Sequence, residues 1–285
     1  MGAASGSPTL TQQLHITNKK DKLMKFGFPT LIELETIEDC ARLCQETNLD
    51  FIEINMSLPQ YTVEAIDTDR FNDIALKYKV SYTIHLDENT NFFDFNTYTS
   101  SAAFRYVEDS IKLAKKINAF KVNMHFKPGE HFTLPDKKVY LYGYYREHYL
   151  RQVNAFKEMC EDAVGDSDIK ICIENCNGFH DFQKEALAIL LESRCFGLTF
   201  DIGHNHACEG LDETYILENR EKLCHMHLHD AKGKKNHLPL GTGKLDLDEY
   251  LNLARNRNCS VVLEVKTVEG LKDSVYWMKG NGWMG

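Results

Sequence analysis

"IKICIEN", residues 169–175, is the stretch whose reading decides the fold. Ile171 and Ile173 alternate with Cys172 and Glu174 at the two-residue period of a β-strand. One face is therefore apolar and suited to a covering layer of helices, while Glu174 faces the other way at the strand's end. "VVLEV" (261–265) repeats the pattern with Glu264 as its inward carboxylate. In "HMHLH" (225–229) the period sends Cys224, Met226 and Leu228 outward, leaving His225, His227 and His229 on the inner side at three heights.

Working outward, the full set of expected strands is 25–28, 51–55, 81–85, 121–125, 170–174, 197–201, 223–227 and 261–264. Amphipathic helices are expected near 37–47, 67–78, 100–117, 143–164, 181–193, 212–219, 246–256 and 269–279. In the third, Val107, Ile111 and Ala114 recur at i, i+4 and i+7 with charges between them. Eight strands alternating with eight helices predict a single (β/α)8 TIM barrel of the α/β class over residues 23–285. A doubly wound sheet is the competing arrangement, but its first-turn glycine fingerprint is missing. Residues 1–22 are small and polar without an apolar h-region, so they read as a flexible leader and not as a signal peptide. Gly6 stands where a myristoylation site needs Ser or Thr. Two insertions, 87–100 and 127–145, follow the third and fourth strands on the face where barrel enzymes place their sites. Their aromatic content suits a lid or a substrate wall.

Composition narrows the function classes. No apolar run reaches the ~18–20 residues of a membrane span. The nine cysteines form no C-x-x-C and fall mostly in apolar patterns, which reads as reduced thiols and a cytoplasmic protein. With 33 basic against 42 acidic residues the net charge is −9, which counts against a nucleic-acid partner. Nothing in the composition limits the chain to a monomer, so a homo-oligomer is allowed.

The strand ends carry the chemistry. The third and fourth end in His85 and His125, the fifth in Glu174, the sixth in Asp201, the seventh reaches His227 and the eighth ends in Glu264. Six consecutive strands thus deliver an imidazole or a carboxylate to one rim. Burying several carboxylates together is costly unless a cation neutralises them. Glu174, Asp201, His227 and Glu264 make a mixed N/O set that suits Zn²⁺ or Mn²⁺ as a divalent cofactor. His85 and His125 either build a second site sharing Glu174 or bind substrate as free imidazoles. His225, a layer lower, reads as a structural histidine, and His229 as a loop residue beside Asp230.

At these residues the sequence resembles the xylose isomerase-like barrel superfamily, which joins sugar and sugar-phosphate isomerases and epimerases to endonuclease IV. The matching stretches are "IEN" (173–175), "DIGH" (201–204), "HLHDAKG" (227–233), "HLPLGTG" (237–243) and "LEVK" (263–266). The resemblance implies a metal on Glu174, Asp201, His227 and Glu264, and His204 as a substrate contact. The endonuclease IV branch binds three zincs, and its ligand positions are matched at His85, His125, Glu174, Asp201, His204, His227, His237 and Glu264. Where that branch carries an aspartate two residues before His237, this chain has Lys235, a positive charge where a divalent ion should bind. "DIGH", with Gly203, also looks more like the isomerase branch.

The expected function is a metal-dependent isomerase or epimerase of a sugar, sugar phosphate or cyclic polyol, so the expected partner is a small-molecule carbohydrate. Proton transfer would run through an enediolate that the metal stabilises as a Lewis acid. Glu174 and Glu264 are the catalytic pair, one removing a proton and the other returning it. His85, His125, His204 and His237 are the substrate-binding residues, and Lys235, Lys244 or Lys266 can meet a phosphate. Three alternatives stand beside it: a zinc phosphodiesterase on abasic DNA, a dehydratase or lyase on a ketopolyol, and a non-catalytic sugar-binding barrel. The glycines at 241 and 243 fit neither a Walker A loop nor a dinucleotide fingerprint, and read as a turn shaping the rim.

Overall fold

Strand β1 (Phe26–Pro29) pairs in parallel with both β2 (Phe51–Asn55) and β8 (Ser260–Leu263), which closes the sheet into a barrel. Between them, in ring order, run β3 (Ser81–His85), β4 (Lys121–His125), β5 (Lys170–Glu174), β6 (Phe196–Asp201) and β7 (Leu223–Leu228). The computed structural model describes residues 24–285, so the leader expected over 1–22 lies outside the described residues. Eight parallel strands ringed by helices make this the (β/α)8 barrel that the sequence pattern predicts. Among the described residues, no helix is long and apolar enough to cross a membrane.

The helices begin and end on readable local chemistry. Thr36 and Asp39 form a reciprocal capping box at the start of Ile37–Thr47, and Asn48 ends that helix in the left-handed region. Asp67 caps Thr68–Tyr78 and Asn96 caps Thr97–Lys116 through side-chain acceptors. That last cap starts the third helix three residues earlier than its apolar period suggests. The long helix expected over 143–164 is broken at Tyr145 into one turn (Leu141–Tyr144) and Arg146–Val164.

The buried aromatics of the two insertions pack against the helices. Phe92 and Phe93 are buried, and Phe93 packs edge-on against Phe126, Tyr149 and Phe156. Tyr142 stacks on Tyr149 at 4.5 Å and donates its hydroxyl to Asn91 of the first insertion. The aromatics therefore clamp the insertions onto the Arg146–Val164 helix, because apolar rings gain most by leaving water together. The second insertion adds an antiparallel ribbon, His131–Thr133 with Lys138–Tyr140. A second ribbon, Asp230–Lys232 with Lys235–Leu238, follows β7, and Lys235 is exposed on it.

Inside the barrel the upper layers are polar. Glu53, Thr83, Asn123, Glu174, Thr199, Asp201, His225, His227 and Ser260 are all buried. Those below the rim bond across strands: Thr83 donates to Glu53 at 3.0 Å and Thr199 donates to Asn123 at 2.5 Å. The register between β6 and β7 slips between the Leu198–Leu223 and Thr199–His225 pairs. This bulge corrects the alternation expected for β7: Cys224 turns toward Cys172, with the two Sγ atoms 3.5 Å apart. Gly197 leaves room for it, since a Cβ there would lie 2.6 Å from the Cys224 sulfur.

Candidate metal centre

The barrel register brings the rim residues level. Asp201 pairs with His227 across β6 and β7, Glu174 with His125 across β5 and β4, and Glu264 lies just past β8. Glu174, Asp201, His227 and Glu264 then offer ligand atoms that all lie within 4.8 Å of one another. His227 Nδ1 stands 3.0 Å from Glu264 Oε2, 3.4 Å from Glu174 Oε1 and 3.8 Å from Asp201 Oδ2.

Each of the three carboxylates anchors one oxygen and turns the other inward, with Asp201 Oδ2 also 3.3 Å from His229 Nε2. Glu174 Oε2 accepts from Asn123 and from His85 Nε2. Asp201 Oδ1 accepts the His204 backbone N–H at 2.6 Å, and Glu264 Oε1 accepts from Lys266 at 2.9 Å. Glu174 Oε1, Glu264 Oε2 and His227 Nδ1 remain buried without a hydrogen bond. Three orphaned ligand atoms at one point are costly in a protein interior, and a divalent cation is the group that relieves the cost.

Electrostatics agrees. Burial pushes the Glu174 and Glu264 carboxyls up, but the charge of His227 and neighbouring histidines outweighs it and holds both well below the usual range. Burial alone lowers His85 and His204, yet Glu174 raises His85 to about 9, and Asp201 with Glu174 raises His204 to about 10. His227 is raised well above its ordinary value against burial by Glu174, Glu53 and Glu264. The cluster thus holds strong positive charge against its carboxylates, the place a metal takes over.

The four histidines read as substrate contacts surround this point. His85 Nε2 and His125 Nε2 lie 3.2 and 3.3 Å from the two oxygens of Glu174, and their rings meet edge-on at 5.0 Å. His204 Nδ1 is 3.4 Å from Glu174 Oε1, and His237 Nε2 is 3.3 Å from Glu264 Oε1. All eight residues named from the strand ends and motifs therefore share one cluster.

A family model described as a xylose isomerase-like TIM barrel matches residues 22–281, nearly the whole chain. The chain belongs to that family. No curated protein matches it. Among solved structures it is similar to a D-tagatose 3-epimerase-like protein, with a TM-score of 0.73, 21% identity, and 90% of this chain covering 96% of that one. It is also similar to a 3-keto-D-glucoside 4-epimerase from E. coli, at a TM-score of 0.71 and 16% identity over 90% and 99% of the two chains. A third likeness is to the IOLI protein solved with a zinc atom, at 0.66 and 17% over 91% and 96%. At these identities the likenesses establish the shared fold.

In this xylose isomerase-like barrel, three further residues build the site. Glu53, two residues below the rim on β2, reaches His225 Nε2 at 3.0 Å and His227 Nε2 at 2.9 Å, the second contact being short but poorly aligned. His225 is also bonded to Ser260 Oγ at 2.6 Å, and burial lowers it to about 4, which makes it the neutral structural histidine its depth predicts. His229 is fully buried and not a free loop residue: its Nδ1 accepts the His237 backbone N–H at 2.8 Å, so its Nε2–H donates to Asp201 at 3.2 Å. His237 holds a left-handed φ of 53° and stacks on His229 at 4.3 Å. Asp230 gathers the backbone N–H groups of Ala231, Gly241, Gly243 and Leu245, which makes 241–243 the rim turn expected of it.

A cavity of about 170 Å³ opens beside the cluster, lined by Glu53, Asn55, His85, Glu88, Glu264 and Lys266 together with apolar residues of the β1 loop. Glu88 is the contribution of the first insertion. Of the two carboxylates assigned to catalysis, Glu264 lines this space and Glu174 lies deeper.

Proposed function

We propose that the protein is a divalent-metal-dependent isomerase or epimerase of a sugar, sugar phosphate or cyclic polyol, with Zn²⁺ or Mn²⁺ held by Glu174, Asp201, His227 and Glu264. The observation that carries this reading is the convergence of ligand residues from four consecutive strands, three of them with an unbonded atom turned inward, beside a compact cavity. When bound, the metal supplies Lewis-acid stabilisation to negative charge developing on substrate oxygens.

The remaining chemistry belongs to the chain. Glu264, facing the cavity and ionised at neutral pH, removes the proton from the carbon beside the carbonyl. Glu174 serves the opposite side of that carbon, and whichever carboxylate returns a proton must first take one up. His85 donates Nδ1–H to the Leu86 carbonyl at 2.8 Å, which fixes its ring with Nε2 toward the site. With His125, His204 and His237 it orients substrate hydroxyls. Lys266 lines the same cavity and can meet a phosphate.

The test is solvent exchange. Candidate ketoses and their phosphates are incubated in D₂O with the metal-loaded protein, and deuterium beside the carbonyl is followed by NMR. Glu264→Gln is expected to slow exchange by ~10²–10⁴-fold, with metal content measured in parallel. Equal incorporation by wild type and variant overturns the acid–base assignment, and ligand binding without any exchange points to a sugar-binding barrel.

One observation favours a second reading. His85 and His125 meet on Glu174 as a second ion's ligands would, the arrangement a phosphodiesterase on abasic DNA requires. That reading predicts two or more zincs per chain and nicking of an abasic duplex.

A further inference from the structure

A chain of hydrogen bonds runs up the inside of the barrel from its floor to Glu53, which lies against the metal ligand His227. Lys121, buried at the start of β4, donates to Ser260 Oγ at 2.5 Å and to the Cys224 carbonyl. Ser260 Oγ lies 2.6 Å from His225 Nδ1, His225 Nε2 lies 3.0 Å from Glu53 Oε2, and Glu53 Oε1 lies 2.9 Å from His227 Nε2.

The direction of every link is fixed from the two ends. An ammonium only donates, so Ser260 accepts from Lys121, and a carboxylate only accepts, so His225 carries its proton on Nε2 and donates it to Glu53. An imidazole with its one proton there leaves Nδ1 to accept the Ser260 hydroxyl. Thr83 gives a second proton to the same oxygen, Oε2, at 3.0 Å. Glu53 Oε1 is left to accept one more N–H, and His227 Nε2 is the donor beside it. The Nε2–H points off the line to Oε1, yet a carboxylate oxygen at 2.9 Å favours the proton on that nitrogen whatever the angle.

We infer that Glu53 is a positioning residue for the metal: the one-way chain Lys121–Ser260–His225–Glu53 keeps the His227 proton on Nε2 and so presents the Nδ1 lone pair to the cation. This rests on the metal centre proposed above. It accounts for a buried carboxylate, a buried lysine and the buried His225, of which only Glu53 reaches the cavity. A glutamine at 53 keeps the shape but replaces one acceptor by an NH₂ group, which must face an N–H of either His225 or His227.

The experiment uses the full chain with ¹⁵N-labelled histidine, loaded with zinc alone. Long-range ¹⁵N–¹H correlation is expected to show His227 protonated on Nε2 and metal-bound through Nδ1, and His225 protonated on Nε2. Competition with a chelator is expected to show zinc bound ~10–100-fold more weakly by Glu53→Gln, as for loss of other groups that orient a metal-ligating histidine. Circular dichroism and the unfolding midpoint establish that the variant is folded. If the variant does not fold, the wild-type nitrogen assignment decides alone. Zinc binding by Glu53→Gln within twofold of wild type overturns the inference while the metal centre stands, whereas a His227 proton on Nδ1 in the zinc-loaded protein overturns both, because that nitrogen is the ligand atom. A wild-type protein that binds no zinc overturns both.

Discussion

Replacing Gly203 by alanine puts the packing beneath the metal centre to a quantitative test. In a helix, Gly→Ala ordinarily stabilises by roughly 0.5–1 kcal/mol. Here a Cβ would lie 1.8 Å from His229 Cε1, 2.5 Å from its Nδ1 and 2.7 Å from its Nε2. The ring has nowhere to go, because it is fully buried, stacked on His237 and hydrogen-bonded at both nitrogens. Overpacking costs about 1–3 kcal/mol, and loss of the charge-assisted bond to Asp201 adds about 1.5–3 kcal/mol. Set against the helix gain, Gly203→Ala is expected to destabilise by about 2–5 kcal/mol in urea unfolding. Asp201 also loses the donor that orients it, so zinc affinity is expected to fall by ~10–100-fold in a chelator competition. An alanine variant at least as stable as wild type, binding zinc equally, would refute the reasoning, because the general helix rule would then have won over the local contact.

Two other perturbations follow from the same geometry. In the metal-free protein His85 is held at about 9 against an ordinary 6.5, and His204 at about 10, so their pairing stabilises fully below about pH 6.5 and is lost as pH rises through 9–10. At ~1.4 kcal/mol per pH unit for each such group, the unfolding free energy is expected to fall by a few kcal/mol over that window. The fall should be smaller in His85→Gln, and a flat profile in wild type contradicts the pairing. Asp230→Ala strips the acceptor from four backbone N–H groups of the rim turn and is expected to cost about 3–5 kcal/mol, with KM raised more than kcat is lowered. Unchanged stability would mean that the turn holds itself.

Much of this molecule is legible in its sequence because a barrel strand's period and end are local properties. "IKICIEN" and "VVLEV" place Glu174 and Glu264 by alternation alone, and the structure keeps them inward at the rim. What escapes is set by contacts between distant strands. Glu53 carried a signal, a single acid inside the apolar run "FIEI", but it sits below the rim where strand ends do not look. His229 reads as a loop residue because its burial depends on the approach of Gly203, just past the end of the preceding strand β6. Cys224 is misdirected by a period that a register slip between β6 and β7 interrupts. The aromatics at 92, 93 and 142 have the composition of a lid, yet the Arg146–Val164 helix beneath them claims their burial.

The most direct test of the account is anomalous diffraction from crystals grown with zinc and manganese, collected on both sides of each absorption edge. The account predicts an ion bounded by Glu174 Oε1, Asp201, His227 Nδ1 and Glu264 Oε2. The isomerase reading requires that ion to stand alone. No ion at that point would contradict the metal centre itself, and a cluster of three zincs would contradict the isomerase.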